Sequence, residues 1–175
     1  VTNGFAAVVP YGKLDEIRQL PGVSAAYAAP TFKVAPDMQA GTMELGGMAN
    51  TSGYDGAGMV IAVLDTGLEV NHKSFQGAPE NPALTQSDIA AVLSDKALNA
   101  EEKKPGVTAS QVYRSAKVPF AFDYADNDTD VTPGSAGDHG VHVSGIAAAN
   151  DGVVADVVGV APEAQILVMK VFSSS

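Results

Sequence analysis

The chain has 175 residues, 46% hydrophobic and 17% charged, with no biased repeat or long charge run, which fits one folded domain or a domain with a small appendage. Twenty acidic against ten basic residues leave a net charge of -10, which argues against a nucleic-acid surface or adhesion to anionic lipid. The lack of cysteine excludes a disulfide framework or thiolate metal site, and no run of about 18 apolar residues encodes a membrane span.

The chain opens on Val1, with neither an initiator Met nor a signal peptide, as a processed or excised segment would. Asn3 to Pro10 reads as a short strand. Leu14, Ile17 and Leu20 then share one helical face before Pro21-Gly22 stops the helix, and Gly22 to Val34 reads as extended. Such a small strand-helix-strand unit needs a partner surface for its apolar face. Ala35 to Gly58 is Gly-rich and lacks a sustained period, so it is expected to be a linker with one short helix around Met43 to Met48.

Met59 to Leu64 is apolar without alternation, as expected of a strand covered on both faces in a parallel sheet. Asn81 to Val107 predicts a helical surface excursion, Val118 to Tyr124 a further strand, His139 to Asn150 a helix, and Ile166 to Phe172 another buried strand. Strand, helix and strand in succession give the α/β class.

Asp65 stands where the first buried run ends, followed by Thr66-Gly67, and the carboxyl ends of strands in open α/β sheets are where reacting groups gather. A desolvated carboxylate there needs strong donors such as backbone N–H groups or an imidazole. His139 opens its helix after Gly137-Asp138, and Gly140 permits close approach of another backbone. If the fold brings Asp65 and His139 together, the carboxylate fixes the imidazole tautomer and leaves the other ring nitrogen free to take a proton from a hydroxyl.

The stretches VIAVLDTGLEVNH, GDHGVHVSGIAAAN and GVAPEAQILVMKVF resemble, in this order, three blocks of the subtilisin-like serine proteases. Asp65-Thr66-Gly67 matches that family's aspartate motif, and His139-Gly140-x-His142-Val143-x-Gly145 its histidine motif. Val141 stands for the commonest Thr and Ser144 for the commonest Ala. With VPFAFDYADND ahead of the histidine, this looks like the lactocepin-type branch of large cell-envelope proteinases of Gram-positive bacteria.

The resemblance implies a subtilisin-like parallel sheet with helices on both faces, of which only the front part is present, preceded by a partial α+β propeptide module. Residues 1–37 would be the C-terminal part of the inhibitory propeptide, 38–58 a linker and the start of the mature enzyme, and 59–175 the front of the catalytic domain. Cleavage would fall after Asp37 or Met38. The implied catalytic residues are His139 as general base and Asp65 as its orienting partner, with His142 structural. The family's Gly-Thr-Ser-Met-Ala has no match in the 175 residues, and Ser173 to Ser175 read as a loop. The expected function is therefore a secreted or cell wall-associated serine endopeptidase, inactive without the Ser-bearing remainder, which is the expected partner alongside a protein or peptide substrate.

Other readings compete. His139-x-x-His142 has a spacing able to bind zinc, yet no Glu follows the first histidine and no third ligand is evident. Asp126, Asp128 and Asp130 mimic the opening of a calcium loop, but Val131 occupies the EF-hand glycine position and Gly137 the glutamate position. A looser structural calcium site is left open, and the chemistry requires no cofactor. His72 reads as a surface residue or one outside direct contact with the reacting atoms. Asp65-Thr66-Gly67 could supply one carboxylate of an aspartic protease dyad, although Leu68 replaces the usual Ser or Ala. The last alternative is a non-enzymatic binding module or protease remnant.

Overall fold

The computed structural model describes residues 7–10, 12–29, 53–150 and 158–174. The chain divides into two units, Val1–Lys33 and Val34–Ser175. In the first, helix α1 (Leu14–Arg18) carries acidic residues in its first turn and Arg18 in its last, which suits the helix dipole. It buries no residue, and Leu20 and Tyr27 are exposed. Residues 7–10 and 22–29 form no strand, and among the described residues none pairs with them; an isolated pair of short strands is marginal in water. The remainder of the two predicted strands, and the predicted helix at Met43 to Met48, lie outside the described residues.

Among its described residues the second unit is built on three strands, β1 (Val60–Asp65), β2 (Phe120–Asp123) and β3 (Gln165–Lys170), ordered β1-β3-β2 and all parallel. Three helices, α2 (Gln86–Ser94), α3 (Ala100–Lys103) and α4 (Ala109–Val112), form between β1 and β2, and α5 (His139–Ala148) forms between β2 and β3. Thr85 and Asp88 close a capping box at the start of α2, the arrangement that satisfies two orphan N–H groups reciprocally. The Thr85 hydroxyl bond is the main cause holding the exposed Asp88 carboxyl below its usual range.

Strand alternation divides the interior into two cores. Val63 of β1, Ala121 of β2 and Ile166 and Val168 of β3 pack with Val141, Val143 and Ala147 of α5. Phe120 and Phe122 of β2, with Leu167 and Met169 of β3, pack instead with Ile89 and Leu93 of α2, Ala100 of α3 and Val112 of α4. The segment expected to be a surface excursion is thus a structural layer. It covers β2 and β3 and stops short of β1. Leu64 is consequently 59% exposed, so the expectation that β1 is covered on both faces does not hold among the described residues.

Two buried polar side chains tie this layer to the start of β3. Gln165 accepts from the Leu84 N–H at 2.7 Å and donates to the carbonyls of Leu84 and Ala116 at 2.8 and 2.7 Å. Lys117 Nζ donates to Pro162 O and Ala164 O, each at 2.6 Å. Burial pushes the Lys117 amine down to about 8, against an opposing pull from Glu163. A lowered amine means that the unfolded chain binds more protons above that value. Stability is therefore expected to rise between pH 8 and 10, and Lys117→Met to flatten that rise in urea midpoints. Above pH 10 Tyr124, pushed up to about 12 by burial, acts in the opposite direction.

Candidate active site

The site forms where β1 meets the start of α5. Beyond Asp65 the chain turns through buried Thr66 and Gly67, whose φ is +115°, and the Leu68 N–H donates to Val131 O at 2.8 Å. A Cβ on Gly67 would lie 2.2 Å from Val131 O, so only glycine fits this backbone conformation and contact. On the helix side Gly140, Ser144 and Ala148 are buried at intervals of four residues, a stripe of small side chains that lets α5 approach closely. The Gly140 N–H donates to Thr66 Oγ1 at 2.9 Å.

That approach brings Asp65 and His139 together across 74 positions of sequence. His139 Nδ1 lies 2.8 Å from Asp65 Oδ1 and 2.9 Å from Oδ2. An ionised carboxylate only accepts, so Nδ1 carries the proton. The Thr66 N–H also donates to Asp65 Oδ1, at 2.7 Å. The Asp65 side chain is 14% exposed and that of His139 26%, so the carboxylate is shielded while part of the imidazole is open to solvent. The arrangement can hold one tautomer and leave Nε2 to exchange a proton with a hydroxyl.

A methyl group on Gly140 would stand 2.4 Å from Gly67 O and 3.1 Å from Asp65 Cβ. Gly140→Ala must therefore push the helix from the turn. Displacement on the ångström scale is expected to lower activity of the full-length protein about a hundredfold, with about 1–3 kcal/mol lost in stability. Steady-state kinetics and urea unfolding of the purified variant measure the two effects.

The other ionisable groups singled out in the sequence lie elsewhere. His142 is on α5 and exposed. His72 caps a short 3-10 helix (Lys73–Phe75), its Nδ1 accepting from the Ser74 N–H at 3.3 Å. Asp128 and Asp130 accept from the N–H groups of Asp130 and Thr132 at 2.8 and 3.0 Å. Asp126 accepts from the Ser174 N–H at 3.0 Å and the Ser173 hydroxyl at 2.8 Å, and these two bonds, in that order, hold its carboxyl below the usual range. Among the described residues no group of three or more His, Cys, Asp or Glu side chains converges as metal ligands would.

The model of the subtilase family matches residues 56–175. The chain belongs to the subtilase family. It is 34% identical over its whole length to the PII-type proteinases of Lactococcus lactis subsp. cremoris and Lacticaseibacillus paracasei. It is also 34% identical, over 66% of its length, to the C5a peptidase of Streptococcus pyogenes serotype M18 (strain MGAS8232). The chain spans only 9% and 10% of the lengths of the lactococcal and streptococcal proteins.

Sequence reasoning about this subtilase missed two residues beside the pair. Lys170 and Asp123 are each 1% exposed and form an ion pair at 2.7 Å. Their signal was available: an ionisable residue ends each of the apolar runs ILVMK and FAFD. Buried charges at such positions are rare unless paired.

Proposed function

We propose that this chain carries the Asp and His of a subtilisin-like serine endopeptidase that hydrolyses peptide bonds in proteins or peptides. The observation that supports the reading is the contact of His139 Nδ1 with both oxygens of Asp65, at 2.8 and 2.9 Å, in a member of the subtilase family. In the reaction His139 Nε2 takes the proton of a serine hydroxyl as the oxygen attacks the substrate carbonyl. The imidazolium, stabilised by Asp65, returns that proton to the leaving amine, and water then repeats the cycle on the acyl-enzyme. The serine and the oxyanion donors come from polypeptide outside these 175 residues, so this segment alone is inert.

Residues 1–37 serve as the tail of an inhibitory propeptide, 38–58 as the linker and 59–175 as the front of the catalytic domain. The relatives being proteinases of Lactococcus and Streptococcus, the protein acts outside a Gram-positive cell, at its wall. The chemistry as written uses no cofactor, and any bound calcium would be structural. The test is covalent labelling of the full-length protein by a fluorophosphonate. Labelling of one serine with loss of peptide hydrolysis is expected; hydrolysis that survives the probe but stops with pepstatin would overturn the proposal in favour of an aspartic dyad.

A further inference from the structure

The C-terminal ends of the three strands carry an unused arrangement of charge. In the parallel register Asp65 of β1 pairs with Lys170 of β3, which pairs with Asp123 of β2. All three positions share the parity of Val63, Val168 and Ala121, which face α5. They form a single row, carboxylate, ammonium, carboxylate, across strands about 4.8 Å apart. From the middle strand the ammonium could serve either neighbour. It lies 2.7 Å from Asp123 Oδ2 and also bonds Ser174 Oγ, and no ion pair joins it to Asp65. The other Asp123 oxygen is held by the N–H groups of Ala125 and Asp126 at 2.8 and 2.9 Å, which fixes that carboxylate.

We propose that Asp123 is a positioning residue: by holding the Lys170 ammonium it keeps this cation off Asp65, so that both Asp65 oxygens remain with His139. A buried ammonium requires an anion; without Asp123 the neighbour in register is Asp65, while Asp126 and Asp130, which also feel this charge, lie on the loop that follows β2. An Asp65 shared with Lys170 would hold the imidazole less firmly, and a nearby cation disfavours the imidazolium. The inference rests on the base role proposed for His139.

The test is a double-mutant cycle in the full-length protein. Asp123→Asn should lower kcat roughly tenfold with little change in KM, within the range of coupling seen between networked neighbours. It should also move the acid limb of the kcat/KM profile to lower pH. Adding Lys170→Met should restore most of kcat, because the competing cation is gone. Losses that add in the double variant would overturn the inference. If Asp123→Asn does not fold, Lys170→Met alone decides: loss of the cation should raise the acid limb by about half a pH unit, and an unmoved limb refutes the proposal. Asp138, His142, Glu69, His72, Tyr124, Asp126, Asp128 and Asp130 are identical in all variants; of these Asp126 and Asp130 feel the Lys170 charge, and Asp128 bonds the Asp123 backbone. Failure of the base role would show differently, as turnover retained in a His139→Ala enzyme.

Discussion

His139→Ala should reduce turnover of the full-length protein by about a millionfold, the loss subtilisin itself shows without its histidine. Among the described residues the ring is the only proton acceptor placed on Asp65, and it is held there by both carboxylate oxygens. In the proposed mechanism, its loss leaves the attacking serine protonated at neutral pH and the leaving amine without a proton donor. Substrate affinity should change little, since the ring acts on the reaction rather than on the substrate's resting pose. The fluorophosphonate probe measures this directly. Labelling at an undiminished rate would remove His139 from the mechanism while leaving the fold assignment intact.

Asp65→Asn should cost about four orders of magnitude in kcat, with unfolding midpoints close to those of the parent. The side-chain amide keeps the shape of the carboxylate but offers one oxygen instead of two. Its NH2 group would donate toward Nδ1, favouring the tautomer that carries its proton on Nε2 and cannot accept from a hydroxyl. The imidazolium also loses its counter-charge. The effect should be smaller at high pH, where hydroxide can substitute for the base; a near-normal kcat at pH 7 would mean that the observed contact is structural only.

Asp65 could be read from the sequence because a carboxylate that follows six uninterrupted apolar residues marks the end of a buried strand. His139 was equally legible, standing between glycines ahead of small helix formers, and the motifs around both residues carried the family resemblance. The three strands and α5 were found for the same reason: each is a local pattern of apolar residues bounded by turn signals. These are properties of neighbours along the chain, and linear order displays them.

What the tertiary structure decided concerns partners far apart in sequence. That Asp65 and His139 touch depends on Gly140 and Gly67 letting a helix and a turn meet, and on Thr66 bonding the helix. That β1 is exposed on the Leu64 face depends on how far α2 to α4 reach across the sheet. Asp123 and Lys170 each follow an apolar run in the sequence, and only the register sets them in a row with Asp65. A strand's own pattern specifies which faces it has, whereas the neighbour at each rung follows from strand order and packing, and the charge that competes for Asp65 is therefore visible only in the assembled sheet.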